Sequence, residues 1–223
     1  WELCLADGSD DAHAYVGEIC RELAGKDERI RYRKLEKNEG IAGNTNQCLT
    51  MATGEYIGLF DHDDMLHPCV LFEYVKAINE KNADYVYCDE ATFKNGDINQ
   101  MITMHFKPDY AIDNLRANNY ICHFSVFSRK LLDGTELFRT KFDGSQDHDM
   151  ILRLTDKAEH VVHVDANVNS TFVIWITEDG NLYGQGANTW GALRLPIKEN
   201  EPWNPWLNLT MEPQLLMEHV TYA

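Results

Sequence analysis

The segment YIGLFDHDDMLHP, residues 56–68, joins an apolar run to three carboxylates, Asp61, Asp63 and Asp64. The apolar run is typical of a strand that is buried on both faces of a sheet. Side chains two apart on an extended chain point the same way, so we expect Asp61 and Asp63 to converge, with Asp64 beside them. Carboxylates this close repel each other, and a hard divalent cation, Mg²⁺ or Mn²⁺, would relieve that repulsion. A solvated acidic turn before the next helix is the structural alternative.

Strands and helices alternate on both sides of this segment. Strands are predicted at residues 1–5, 30–36, 55–60 and 84–90, with helices through residues 16–23, 48–52 and 70–78 between them. A strand at 124–128, a helix at 146–158 and a strand at 160–164 follow. The alternation predicts an α/β fold with a mostly parallel sheet and helices on both faces.

The composition excludes several classes of protein. With 223 residues and a formal net charge of −16, the chain is a poor partner for a nucleic-acid backbone or an anionic membrane surface. It contains no apolar run of the ~18 residues that a membrane span requires. The six cysteines lack metal-knuckle spacing and are predicted to be reduced, buried thiols, which favours a cytoplasmic location.

Small and polar residues follow three consecutive predicted strands. Asp7 and Gly8 follow the first strand, Asn38 and Gly40 follow the second, and Asp61 follows the third. Ligands of open α/β sheets bind beyond the carboxyl ends of the strands. The three strand ends therefore predict one ligand site, and Asp7 is a candidate to bind a nucleobase or ribose.

Four segments together resemble the family 2 glycosyltransferases of the GT-A fold, and in particular bacterial members that build cell-surface polysaccharides. The segments are LADGSDD, NEGIAGNTNQCLTMATGEYIGLFDHDD, FKPDYAIDNLRANNYICHFSVFSRKLL and GSQDHDMILRL, and the resemblance covers residues 1–164. It implies inverting transfer of a sugar from a nucleoside-diphosphate donor, with a UDP-sugar favoured, to a saccharide or lipid-linked acceptor. It also implies a Mn²⁺ or Mg²⁺ cofactor.

The resemblance assigns roles to individual residues. It implies that Asp147, in the motif Gln146-Asp147, is the general base. The nucleotide-sugar site that it implies consists of Asp7, Asn38, Gly40, Asn46, Asp61 and Asp63, and the metal ligands are Asp61, Asp63 and Asp64. Asn119, Tyr120 and His123 are expected on the acceptor side.

Three departures from the family pattern bear on activity. The strand and helix with which family members begin would precede Trp1, so residues 1–164 are expected to form an N-terminally incomplete domain. The exposed edge of such a sheet favours a homodimer. Thr45 stands where many members carry an arginine that contacts the diphosphate, and no histidine follows HVVHV at the position that usually completes the site.

The character of the chain changes near residue 165. Residues 165–223 are rich in Gly, Trp and Pro and predict a short β-rich segment. TFVIWITEDGNLYGQGANTWGAL, with the later PQLLMEHVTYA, resembles one repeat of an RCC1-type propeller. A single blade cannot bury its own faces, because repeat units rely on their neighbours.

Two other functions compete with the transferase. A catalytically impaired binding or assembly module is favoured by the missing first strand and the missing histidine, whereas the intact acidic cluster and Asp147 favour the enzyme. A nucleotidyltransferase would also use carboxylates, a metal and a nucleotide. It is disfavoured because the chain begins without a glycine-rich, lysine-bearing phosphate loop.

Overall fold

A computed structural model of the chain describes residues 1–165, 172–176, 182–187 and 209–217. The described chain divides into two compact units. The first unit comprises residues 1–62, 76–87 and 109–163, and the second comprises residues 63–75, 88–108 and the described residues from 164 onward. Neither unit is continuous in sequence, and the domain boundary near residue 165 remains a prediction.

The first ninety residues alternate strands and helices as the sequence predicts. The strands are β1 (Leu3–Asp7), β2 (Ile30–Lys34), β3 (Tyr56–Leu59) and β4 (Tyr85–Cys88), and the helices between them are α1 (Ala14–Lys26), α2 (Gly40–Met51) and α3 (Val70–Lys81). The elements that follow are β5 (Glu90–Lys94), β6 (Asp97–His105), α4 (Ile112–Ala117), β7 (Ser125–Ser128), α5 (Gln146–Thr155) and β8 (Val161–Val164). The α/β class is confirmed.

The strands of the first unit form two sheets. β1 and β2 pair in parallel, with Leu3 opposite Ile30 and Asp7 opposite Lys34. The second sheet has the strand order β3-β7-β4-β8, and β7 runs antiparallel to both β3 and β4. The sequence predicts a mostly parallel sheet, but β7 follows a hairpin and a short helix rather than a crossover helix, so it is free to run the other way.

The core of the first unit gathers the apolar faces of these strands and of α5. Tyr85, Tyr87 and Phe127 are fully buried, and Met150 and Leu154 of α5 belong to the same cluster. Met150 and Leu154 are one helical turn apart, so a single face of α5 enters the core. This packing fixes the first turn of α5, which carries Asp147.

The second unit is antiparallel in its described parts. β5 and β6 form a hairpin with Glu90 opposite His105, and this hairpin is not among the predicted strands. The strands β9 (Phe172–Ile176), β10 (Leu182–Ala187) and β11 (Leu209–Met217) form a sheet in the order β11-β10-β9. Parts of the predicted propeller-like repeat lie outside the described residues. None of the described helices has the length and hydropathy needed to cross a membrane.

Candidate functional site

The turn that follows β3 brings Asp61 and Asp64 together. His62 and Asp63 form a turn, which interrupts the extended alternation that would have aligned Asp61 with Asp63. Asp61, Asp64 and His123 each offer one ligand atom, and these atoms lie within 4.8 Å of one another. His123 Nε2 is 3.7 Å from Asp61 Oδ2. Asp63 is not a member of this group, whereas His123, expected on the acceptor side, is.

The loop between α4 and β7, residues 118–124, reaches Asp61 because it packs on the end of β3. The ring of Phe124 lies over Gly58, where an added Cβ would come within 2.9 Å of the ring. Phe124 also meets Phe60 edge to face, with ring centroids 6.1 Å apart. A glycine in β3 therefore allows the close approach that places His123 beside Asp61.

The same loop holds Asp147. Asn119 Nδ2 donates to Asp147 Oδ2 at 3.0 Å, and Cys122 Sγ donates to the same oxygen at 3.3 Å. Asp147 lies in the first turn of α5, where the helix dipole favours a carboxylate. Loop 118–124 thus contacts both the carboxylate of the acidic turn and the carboxylate expected to act as base.

Tyr120 faces the interior rather than an open acceptor site. Its hydroxyl accepts a hydrogen bond from the Ala111 backbone N–H at 2.9 Å, and its ring meets Tyr87 edge to face. Together these contacts fix the ring. Of the three predicted acceptor-side residues, Asn119 therefore contacts Asp147, Tyr120 packs on the core, and His123 contacts Asp61.

Asp7 is buried at the end of β1 and is held by its neighbours. It accepts hydrogen bonds from Ser9 Oγ, from the Ser9 N–H at 2.8 Å and from the Tyr32 hydroxyl at 2.8 Å, and Lys34 Nζ lies 3.3 Å away. Burial would raise the pKa of Asp7, but these donors outweigh burial and lower it to about 2. Burial and the bond to Asp7 raise the pKa of Tyr32 to about 12. Asp7 is therefore an ionised acceptor at neutral pH.

Asp7 makes the stability of the chain depend on pH in the acid range. Since its folded pKa of about 2 lies below the ordinary value of 3.8, the stabilisation is complete above about pH 5 and is lost as the pH falls towards 2. We expect the free energy of unfolding in urea to fall between these pH values, and to fall less steeply in Asp7→Asn. The exposed Asp11→Asn is the control. An Asp7→Asn profile parallel to the wild-type profile would contradict the assignment.

The loop after β2 is braced by its own polar side chains. Asn38 Oδ1 accepts from the Gly40 N–H at 2.9 Å and from Asn44 Nδ2 at 3.0 Å. Gly40 has φ +78°, and an added Cβ would lie 2.9 Å from Asp143 Oδ2. Only glycine takes this conformation without strain, so Gly40 starts α2 where Asp143 approaches.

Asn46 pairs with the backbone of Phe138 through both halves of its amide. Asn46 Nδ2 donates to the Phe138 carbonyl at 2.8 Å, and the Phe138 N–H donates to Asn46 Oδ1 at 2.9 Å. The pairing ties α2 to the segment before α5. A nucleotide that bound to this amide would have to replace these bonds, and the nucleotide contact of Asn46 stays a prediction.

Asn46→Ala is expected to lower the free energy of unfolding by about 1–3 kcal/mol, because it leaves two part-buried backbone groups of Phe138 without partners. Urea denaturation measures the change, and Thr45→Ala, which removes only a bond within α2, is the matched control. A loss of UDP affinity without loss of stability would instead assign Asn46 to the nucleotide.

A second carboxylate of α5 anchors the helix, a role that sequence reasoning missed. Asp149 is paired with Arg139 and, at 2.8 Å, with Arg153, and these cations outweigh burial and lower the pKa of Asp149. The spacing of Asp149 and Arg153 is a helical i, i+4 pair and is visible in the sequence. Arg139 lies outside the helix, and no local pattern predicts its contact.

Comparison with known proteins identifies a family. The model of the family described as "Glycosyl transferase family 2" matches residues 1–135, more than half of the chain. The uncharacterized protein y4gI of Sinorhizobium fredii is 38% identical over 161 residues, which are 71% of this chain and 17% of that protein. The O-antigen biosynthesis protein RfbC of Myxococcus xanthus is 30% identical over 165 residues, which are 74% of this chain and 13% of that protein. The chain thus spans less than a fifth of either relative.

Solved structures share the fold. Staphylococcus aureus TarS residues 1–349 in complex with UDP-GlcNAc superpose with a TM-score of 0.59 at 20% identity, covering 74% of this chain and 47% of that one. A mannosyltransferase of Pyrobaculum calidifontis in complex with GDP-Man and Mn²⁺ gives a TM-score of 0.51 at 18% identity, covering 74% and 46%. The predicted RCC1-type resemblance of residues from about 170 to 223 is not supported by these comparisons.

Proposed function

The chain belongs to glycosyl transferase family 2, and from that premise we propose that it transfers a sugar, with inversion, from a nucleoside-diphosphate donor to a hydroxyl of a saccharide or lipid-linked acceptor. The relative from Myxococcus xanthus, named for O-antigen biosynthesis, supports a role in making cell-surface polysaccharide. A UDP-sugar is the favoured donor, because TarS is described with UDP and with UDP-GlcNAc.

One observation carries the proposal. A single loop, residues 118–124, contacts Asp147 through Asn119 and Cys122, and Asp61 through His123. The base and the donor-side carboxylate are therefore positioned by the same segment of chain. A transferase needs this arrangement, because the acceptor hydroxyl must meet the anomeric carbon of a donor held nearby.

Asp147 supplies the base chemistry. A sugar hydroxyl is a weak nucleophile until a carboxylate takes its proton in the transition state. As the acceptor oxygen bonds to the anomeric carbon, the bond from that carbon to the diphosphate oxygen breaks and the proton passes to Asp147. Attack from the face opposite the leaving group inverts the anomeric centre.

The donor set of the acidic turn fits a divalent cation. The carboxylates of Asp61 and Asp64 offer the oxygen ligands that suit Mn²⁺ or Mg²⁺, and the imidazole of His123 offers a third ligand atom. A bound cation would stabilise the negative charge of the departing diphosphate. Asp63, one residue before Asp64, remains a candidate ligand or a contact of the nucleotide sugar.

Asp7 fits the recognition of a hydrogen-bond donor on the nucleotide. Its carboxylate is ionised at neutral pH, and its position is fixed by donors from Ser9, Tyr32 and Lys34. A fixed carboxylate accepts hydrogen bonds and cannot donate them, so it selects a base edge or ribose hydroxyl that donates.

Calorimetric titration of UDP, with and without Mn²⁺, tests the donor site, and release of UDP from UDP-GlcNAc tests turnover. We expect UDP to bind only with the metal and UDP to be released in its presence. GDP and GDP-mannose are the matched comparisons for the base. The proposal would be overturned if neither UDP nor GDP bound and neither UDP-GlcNAc nor GDP-mannose was turned over.

A catalytically impaired binding module is the second candidate, and one observation favours it. In the described first unit, β1 and β2 form a sheet of their own rather than joining β3. Metal-dependent binding of UDP without release of UDP from any UDP-sugar would support this reading over the transferase.

A further inference from the structure

Loop 118–124 places two hydrogen-bond donors on one oxygen of Asp147. Asn119 Nδ2 is 3.0 Å and Cys122 Sγ is 3.3 Å from Oδ2. The other carboxylate oxygen, Oδ1, accepts no hydrogen bond from the described part of the chain. The two oxygens of this carboxylate therefore have different surroundings.

We infer that Asn119 and Cys122 are positioning residues that hold Asp147 by Oδ2 and reserve Oδ1 for the proton of the acceptor hydroxyl. The inference rests on the proposed function, since it concerns how the base is oriented. It gives Asn119 a different role from the one that sequence reasoning assigns, because Asn119 acts on Asp147 rather than on the acceptor.

The side chain of Asn119 can satisfy Asp147 in only one orientation. An ionised carboxylate accepts hydrogen bonds and does not donate them, so the Nδ2 side of the amide must face it. Asn119 Oδ1 then lies buried without a partner among the described residues. A buried acceptor without a partner is unfavourable, and the charge-assisted bond to Asp147 offsets that cost. The amide of Asn119 is thus oriented so that its NH₂ group bonds to Asp147, while its carbonyl oxygen has no hydrogen-bond partner among the described residues.

Two donors on one oxygen also restrict rotation of the carboxylate. One hydrogen bond would leave the group free to turn about Cβ–Cγ, whereas a second donor from a different part of the loop fixes its plane. The thiol of Cys122 is a weak donor. A serine hydroxyl at this position would keep the bond, and an alanine would remove it.

Release of UDP from UDP-GlcNAc with Mn²⁺ present, with water as the acceptor, measures the effect. In this reaction a water oxygen bonds to the anomeric carbon, UDP leaves, and the proton passes to Asp147. We expect Asn119→Ala to lower kcat by about tenfold or more and to leave KM for UDP-GlcNAc within about twofold, since a misplaced base slows chemistry without touching the donor. The exposed neighbour Asn118→Ala is the control.

A double variant separates positioning from general damage. If Asn119 acts through Asp147, Asn119→Ala added to Asp147→Asn lowers kcat no further, because the group that it positions is already gone. An equal loss of kcat in both backgrounds would overturn the inference. Cys122→Ala should lower kcat, and Cys122→Ser should recover most of that loss; equal values for the two variants would overturn the part played by the thiol.

Failure of the inference and failure of the proposed function are distinguishable. An active wild-type chain with an equally active Asn119→Ala variant overturns only the inference. If the wild-type chain releases no UDP, the proposed function fails for this donor, and NMR then tests the contact itself. The side-chain NH₂ signals of Asn119, assigned by their loss in Asn119→Ala, should shift in Asp147→Asn. Unchanged signals would overturn the pairing.

Discussion

Asp147→Asn is expected to lower kcat for donor turnover by about 10²–10⁴-fold, the usual contribution of a positioned general base. The amide is nearly isosteric with the carboxylate and still accepts from Asn119 Nδ2 and Cys122 Sγ through its oxygen, so the loop is expected to stay in place. It cannot take a proton from the acceptor. The loss therefore falls on kcat, and the affinity for UDP measured by calorimetry should stay within about twofold of wild type.

The matched control for this variant is Asp113→Asn, which makes the same chemical change at an exposed position of α4. It should leave kcat and UDP affinity unchanged. If Asp147→Asn turned over donor as fast as Asp113→Asn, Asp147 would be only a first-turn carboxylate that stabilises α5 through the helix dipole.

Asp61→Asn is expected to abolish the metal-dependent part of UDP binding. Asp61 belongs to the group that the structure brings together, Asp61, Asp64 and His123. It also belongs to the pair that the sequence predicts to converge, Asp61 and Asp63. Loss of the Asp61 carboxylate as a metal ligand should weaken binding of UDP in the presence of Mn²⁺ by about 100-fold or more, towards the level measured without the metal. Because Asp61 is exposed, the free energy of unfolding should change by less than about 0.5 kcal/mol.

Asp63→Asn and Asp64→Asn then show which carboxylate joins Asp61. A larger loss in Asp64→Asn would agree with the turn at His62 and Asp63, and a larger loss in Asp63→Asn would favour the extended alternation. Unchanged Mn²⁺-dependent binding in all three variants would mean that the cluster is a solvated turn without a metal.

Several features of the fold follow from local sequence. The apolar runs and the 3.6-residue spacing of apolar side chains predict the strands and helices of the first ninety residues, because both patterns depend only on neighbours along the chain. The Asp residues in the first turn of α5 follow from the same local rules. The hairpin of β5 and β6 also has a local signal, although the predicted strands omit it: the two residues between the strands, Asn95 and Gly96, both have positive φ, as a type I′ hairpin turn requires.

The candidate site also has features that the sequence predicts and features that only the structure shows. The sequence places carboxylates at the ends of β1 and β3 and in the first turn of α5, and their number and chemistry indicate a donor site and a base. The alternation of side chains along a strand does not predict which carboxylate lies beside Asp61. The turn at His62 and Asp63 brings Asp64, rather than Asp63, close to Asp61.

By itself, the sequence determined the α/β class, the family and the residue types that the chemistry needs, since these depend on local patterns and on motifs. Only the tertiary structure decided the partners. It placed His123 beside Asp61, two donors on one oxygen of Asp147, and Asn46 on the backbone of Phe138. These contacts join residues from 25 to 92 positions apart. Packing of loop 118–124 against β3 and α5 creates the first two, and packing of α2 against the segment before α5 creates the third. Patterns of neighbouring residues do not predict contacts between residues that are so far apart in the sequence.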